Sequence, residues 1–492
     1  MLLPNIAGAE EYYEYTKELD EAEAKALKAT DEAFTSVVGV EAPDDYTLVY
    51  HCRQNVPYFV TLCTAMCLMP LPQGEIDELG VDGTFAQNNQ NMWYNGPYTI
   101  TEYIAGNSKT LTRNPHYWDT EAKLFDTVTV KMVEDGNMDD NLFLSGEVDR
   151  CDLSEAKLRS IYENEDDEFH DNLVMTRSLT QNRAIQFNFN KLDGDGNPDV
   201  NWNTAVANEA FRLSLYYGME LTPYWARTNF INPAQNEALN FTTHNVVAFS
   251  DGTDYADRVI EKLGLTGGGR YDAEKAEQYK QQAIEELTAK GVTFPVEMSY
   301  YVPANNQDEI DKGTVLKEVI EALGTDYVTV NIETYVNNAR QEVYNPHLHS
   351  FGIAGWTADY GDPENFISQF MYDYDGAYFA NNITMANDAS DPELIEQLKE
   401  YTELCRKADT IYDDMDARYE AQADAETYLV SHALIIPCYS LSQWSLTKVN
   451  TYSQPYASYG GFIFMYKNFE TRQTPYTTGE YDQFKAAYDA EA

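Results

Sequence analysis

The sequence predicts an α/β protein of two lobes crossed several times by the chain. Before residue 190 short runs of alternating apolar residues are separated by tight turns, the mark of antiparallel hairpins. Beyond residue 270 strand, helix and strand follow one another at the spacing of a βαβ unit. No low-complexity linker separates the two textures, so strands passing back and forth are expected to join the lobes.

The elements follow in order. Residues 9–34 are rich in Glu, Ala and Lys and read as a helical or mobile charged segment. A Pro-Asp-Asp turn precedes the alternating run Tyr46 to His51, a strand. The Gly-Pro turn before Tyr98 opens a hairpin, with strands Tyr98 to Ile104 and Lys109 to Thr112 around a turn at Gly106-Asn107. Asp126 to Val133 is β-rich, Met138 to Ser145 an amphipathic helix stopped at Gly146, and Arg183 to Asn190 a long alternating strand. Past Asn208 a helix over NEAFRLSLYYGM is followed by a long helix from Tyr271 to Lys290. The strand Phe294 to Val302, the helix Asp308 to Leu323 and the strand Tyr327 to Val336 make the βαβ unit. Ser350 to Trp356 is a buried strand, and the helices Pro392 to Lys407 and Asp414 to Ser431 lead into the apolar strand Ala433 to Tyr439.

Composition excludes several functions. Over 492 residues, 33 basic and 81 acidic side chains give a formal charge of −48. A phosphate-backbone binder needs a basic footprint, so nucleic acid is excluded as a partner. The same repulsion disfavours an anionic lipid surface, and no apolar window of about 18 residues is present to span a bilayer. The opening MLLPNIAGAEE has no basic region and is broken by Pro4 and Asn5, so it does not read as a secretory signal.

The common catalytic signatures are missing. There is no P-loop, no H-E-x-x-H and no G-x-S-x-G, and the triple glycine at 267–269 reads as a turn. Cys63 and Cys67 lie in an apolar run with no second pair or His nearby, which reads as buried structural thiols more readily than as half of a zinc site. Asp193, Asp195 and Asn197 echo a calcium loop, but Pro198 stands where Gly is needed and Thr204 where a bidentate Glu is needed, so a solvent-exposed turn is expected. His347 and His349 would share one face of a strand as polar decoration. No metal or cofactor is expected.

Several blocks carry a resemblance. Tyr94-Asn95-Gly96-Pro97-Tyr98, Arg113-Asn114-Pro115-His116-Tyr117-Trp118, the strand Asp126 to Val133 and Ser145-Gly146-Glu147-Val148-Asp149 resemble, in order and spacing, a run in the solute-binding proteins of oligopeptide and dipeptide ABC importers. The segment Gly355-Trp356-Thr357-Ala358-Asp359-Tyr360-Gly361-Asp362-Pro363-Glu364-Asn365-Phe366 is similar to that family's most recognisable stretch, and Arg418-Tyr419-Glu420 through Ile435-Ile436-Pro437-Cys438-Tyr439 to its final helix and strand. The resemblance runs from about Val38 to the mid-450s.

That resemblance implies a two-lobed periplasmic-binding-protein-like fold, type II, cluster C, with an additional inserted domain. The expected division is a remnant of the inserted domain at 1–85, lobe I at 86–195, an α/β lobe II at 196–450 and a return to lobe I at 451–492. The implied function is an extracytoplasmic receptor, not an enzyme, that captures small peptides between the lobes and delivers them to ABC permease subunits. It is expected to be a monomer, periplasmic or a cell-surface lipoprotein, whose export signal and first strands lie outside this sequence. The implied binding residues are Trp356, Thr357, Ala358, Asp359 and Tyr360, with Asp359 meeting the ligand's amino group and Trp356 its apolar surface. Where peptide-binding members can carry an Arg for the ligand's carboxylate, Ile353 and Ala354 stand here. The alternatives are a same-fold receptor for an oligosaccharide, a metal chelate or haem, and a secreted acidic hydrolase.

Overall fold

The computed structural model describes residues 5–65, 68–80, 88–133, 138–175, 181–440, 442–453, 459 and 466–491. The chain begins with three short helices, Ala9–Lys17, Glu21–Ala26 and Glu32–Thr35, none of which buries a residue. One charged segment was expected here; it is broken where Asp20, in extended conformation, caps a new helix by accepting from the backbone N–H groups of Ala22 and Glu23. A hairpin of β1 (Val40–Asp44) and β2 (Thr47–Tyr50) follows. Strands β3 (Tyr98–Ile104), β4 (Ser108–Arg113) and β5 (Thr127–Lys131) form an antiparallel meander, as the turn at Gly106 requires.

Strands β6 (Arg150–Asp152) and β7 (Val174–Met175) flank a later strand from the far end of the chain, described below. A core of Phe143, Cys151, Leu153, Leu158, Ile161, Leu173 and Leu446 lies beneath this small sheet.

Strand β8 (Asn182–Phe187) is the hub of the larger unit. Apart from the half-buried Arg183, every residue in it is buried. Strands β9 (Val296–Pro303) and β10 (Val328–Tyr335) run parallel in uninterrupted register around the helix Gln307–Glu321, the βαβ unit read from the sequence. Next comes β11 (Phe351–Gly355), antiparallel to β8. Two bonds tie it to the parallel pair: Ser350 N–H donates to the Ser299 carbonyl at 2.9 Å, and Ser299 N–H to the Ser350 hydroxyl at 2.8 Å. The helices Pro392–Asp409 and Met415–Ser431, capped by Asp391 and Asp414, pack on one another and lead into β12 (Ile435–Ser440), which pairs with the other edge of β8. Thus β8, which lies within the 86–195 stretch of sequence, is the central strand between two strands from the 196–450 stretch. β13 (Trp444–Thr447) then lies between β6 and β7 and carries the chain back to the small sheet. β14 (Val449–Asn450) and β15 (Glu470–Thr471) pair before the terminal helix Thr478–Glu491. Among the described residues no helix is long and apolar enough to cross a membrane.

Two local expectations change. Cys63 is exposed instead of buried, because the short helix Phe59–Leu62 turns Leu62 inward and ends just before it; Cys67 lies outside the described residues. The pair His347 and His349 precedes the strand and is not surface decoration. His347 has φ 58°, and His349 is fully buried, with Nε2 at 2.8 Å from the Ile383 carbonyl. Burial pushes the His349 imidazole down to about 4, so it is a neutral core group at physiological pH. The loop at Asp193 is the expected turn: its carboxylate accepts from the N–H groups of Asp195 and Asn197 at 2.9 and 2.8 Å.

Candidate functional site

The site is built where β11 ends. Gly355 closes the strand, and a side chain there would put a Cβ 2.6 Å from the Asn182 carbonyl oxygen, so the neighbouring strand requires glycine. The chain then turns through Trp356, Thr357, Ala358, Asp359 and Tyr360. Asn365 organises this turn from a short helix five residues on: its Oδ1 accepts from Trp356 Nε1 at 3.0 Å and from Asp359 N–H at 2.8 Å, while its Nδ2 donates to Asp359 Oδ2 at 3.1 Å. One amide therefore fixes both the indole and the carboxylate.

Trp356 is half-buried, with Tyr378 and Phe379 against it at ring-centroid distances of 5.6 and 5.7 Å. Thr357 is exposed, and its Oγ1 accepts from Gln181 Nε2 at 3.4 Å. Asp359 is half-buried and forms no ion pair among the described residues. Ala358 and Tyr360, by contrast, are buried. The Tyr360 ring stacks on Tyr58 at 5.3 Å, and its hydroxyl donates to the Glu364 carboxylate. The N-terminal segment thus meets the site directly, and Gly361 N–H adds a bond to Thr61 Oγ1 at 3.0 Å.

Beneath the turn lies a buried charge cluster. Asp362 accepts from Arg418 Nε and Nη2 at 2.9 and 3.0 Å and from Gln422 Nε2 at 2.6 Å. Asp409 approaches the same guanidinium at 3.4 Å. Burial, reinforced by the neighbouring Glu364, pushes the Asp409 carboxyl up to about 8, and burial raises Glu364 as well. Burial works against the Arg418 charge, but Asp362 outweighs it and holds the guanidinium above its ordinary range. The cluster therefore sets two carboxyls that resist ionisation, those of Asp409 and Glu364, beside the Arg418–Asp362 pair. Sequence reasoning missed Asp362 and Arg418 as parts of the site because they meet across 56 residues of chain, and missed Asn365 because its bonds to Trp356 and Asp359 depend on the geometry of the turn.

The arrangement offers an aromatic face, an exposed hydroxyl and a carboxylate held in place, and among the described residues no cluster of side chains could hold a metal ion. The model of the bacterial extracellular solute-binding proteins, family 5 (Middle), matches residues 4–378, about three-quarters of the chain. This chain belongs to that family. The match begins well upstream of Val38, where the resembling blocks in the sequence start. Among curated relatives, the oligopeptide-binding protein SarA of Streptococcus gordonii is 24 % identical over 494 residues, covering 93 % of this chain and 73 % of that protein. The oligopeptide-binding protein AmiA of Streptococcus pneumoniae is 25 % identical over 450 residues, covering 85 % and 67 %. Among solved structures, the substrate-binding domain of an oligopeptide ABC transporter from Bacillus anthracis superposes with a TM-score of 0.66 at 20 % identity, covering 96 % of this chain and 84 % of that one. Haemophilus influenzae OppA in complex with the peptide RPPGFSPFR gives 0.62 at 20 % identity, covering 94 % and 80 %. These likenesses establish the two-lobed α/β fold that the family blocks implied.

Proposed function

We propose that this family 5 protein is the extracytoplasmic substrate-binding component of an ABC importer, which captures oligopeptides between its lobes and hands them intact to the permease. The observation that carries this reading is Asp359: a half-buried carboxylate, fixed by Asn365 and with no cationic partner among the described residues, at the end of a strand beside an aromatic wall. A peptide's ammonium group would supply that partner through a charge-assisted hydrogen bond. Its main chain would lie extended, leaving side chains free to vary. Trp356 and Thr357 would flank the ligand, while the buried Ala358 and Tyr360 anchor the turn that presents them.

The lobes are read as 86–195 with 451–492 on one side and 196–450 on the other, with 1–85 the inserted-domain remnant and with β8 and β13 as the strands by which the chain crosses from one side to the other. The protein would act as a monomer outside the cytoplasmic membrane, its partners being a peptide and the permease. Closure is a population shift: a ligand that touches both lobes favours the form in which they meet. Small-angle scattering, with tryptophan fluorescence reporting binding, tests this. A smaller radius of gyration on saturation with a bound peptide supports the receptor, and binding with an unchanged radius counts against it.

A further inference from the structure

In a chain with 81 acidic and 33 basic residues, a cation easily finds a carboxylate. Arg227 has three, Glu155, Asp308 and Asp311, and Lys262 has two, Glu420 and Asp424. Arg183 has none among the described residues, although it is half-buried beside the site. Its Nε donates to Gln181 Oε1 at 3.2 Å, and Gln181 in turn donates to Thr357 Oγ1. Among the described residues the remaining guanidinium nitrogens have no acceptor.

Its placement is specific. In the sheet, Arg183 on β8 stands opposite Gly355 on β11 and Tyr439 on β12. A Cβ on Gly355 would lie 2.9 Å from Arg183 Cγ and 2.7 Å from Gln181 Cγ, so the glycine that ends β11 also keeps room for this pair. Burial raises the phenols of Tyr344 and Tyr439, and the nearby Arg183 charge works against that rise in both. A half-buried guanidinium beside Tyr344 and Tyr439, with no carboxylate partner among the described residues, is costly unless an anion arrives.

We propose that Arg183 is a specificity-determining residue that anchors a carboxylate of the bound peptide, acting from the strand next to the one that presents Asp359. This rests on the peptide-binding reading above. The carboxylate is either the peptide's C-terminus or an acidic side chain; both offer the planar pair of oxygens that a guanidinium fork recognises.

Calorimetry on a peptide that the protein retains from a random pool tests the assignment. The peptide is prepared with a free C-terminus, as its C-terminal amide, and as the amide with its acidic residues changed to Gln. Wild-type protein is expected to lose about tenfold or more in affinity at whichever change removes the anchoring carboxylate, since a hydrogen bond to a charged group is at stake. Loss at the amide identifies the C-terminus, and loss only at the Gln form identifies a side chain. Arg183→Gln should bind all three forms alike, and Arg183→Lys should retain part of the preference. The wild-type comparison needs no variant and stands even if Arg183→Gln fails to fold. Peptides that bind equally well in all three forms, or a preference that survives in Arg183→Gln, would overturn the role of Arg183 alone. A wild-type protein that retains no peptide overturns the peptide reading and this inference with it.

Discussion

Arg418 grips Asp362 through two hydrogen bonds, from Nε and Nη2 at 2.9 and 3.0 Å, across 56 residues of sequence and entirely away from solvent. Asp362 lies three residues beyond Asp359, so this pair pins the end of the binding turn to the helix Met415–Ser431. Glu364 N–H also donates to Asp362 Oδ1 at 3.0 Å, and the Tyr58 ring lies 5.5 Å from the guanidinium. One ion pair thus joins the site, the helical layer and the N-terminal segment.

Removing one partner of a buried pair leaves the other charge stranded, at a cost of about 3–5 kcal/mol. Arg418→Met is therefore expected to lower the stability measured by urea unfolding by that order. A loss below about 1 kcal/mol would mean that the turn is held by other contacts.

Asp359→Asn keeps the shape of the side chain but removes its charge. Free-amine peptides should bind about tenfold or more weakly, the worth of a charge-assisted hydrogen bond, while N-acetylated peptides should be nearly unaffected. Calorimetry with matched peptides reads the difference, and equal losses would assign Asp359 to the structure of the loop.

Trp356→Phe retains a ring against Tyr378 and Phe379 but loses the Nε1 bond to Asn365. Stability should fall by about 1 kcal/mol, the usual net value of one hydrogen bond. The fluorescence change on peptide addition should also shrink or vanish. If it persists in full, the reporting indole lies elsewhere.

The charge cluster predicts a pH dependence. Asp409 titrates at about 8 in the folded protein against an ordinary 3.8, raised by burial and then by Glu364. A carboxyl whose folded value is raised gives stability that is fully present below its ordinary value and lost as pH climbs through about 8. The thermal midpoint should therefore fall as pH rises toward 8, and Asp409→Asn, which cannot ionise, should flatten that fall. Two groups act in the opposite sense: the His349 imidazole, pushed down to about 4 by burial from an ordinary 6.5, and the carboxyl of Glu480, held down at about 2 chiefly by its hydrogen bond to Arg472; both act below about pH 6.5, so the fall due to Asp409 is read between about 6.5 and 8. Parallel profiles for the two proteins would place the titration elsewhere.

The regular elements were legible because their periodicity is local. The two long helices, read as Pro392 to Lys407 and Asp414 to Ser431, end within two residues of the observed bounds, and the strand, helix and strand between Val296 and Tyr335 fit one βαβ template. The stretch from Trp356 to Tyr360 stood out for its order of residue types. What could not be read depends on register and distance. That β8 lies between β11 and β12 decides that Arg183 faces Gly355, and no spacing in the sequence encodes it. Asp362 finds Arg418, and His349 becomes a core group, only once distant segments are packed together.

A receptor of this kind captures peptides and releases them unchanged. The most direct measurement is mass spectrometry of what the purified protein retains from a random peptide pool and an oligosaccharide pool after washing and denaturation. Peptides are expected at their original masses, about one per chain, with no enrichment of sugars. Recovery of cleaved fragments, of oligosaccharides alone or of nothing from either pool would contradict this reading.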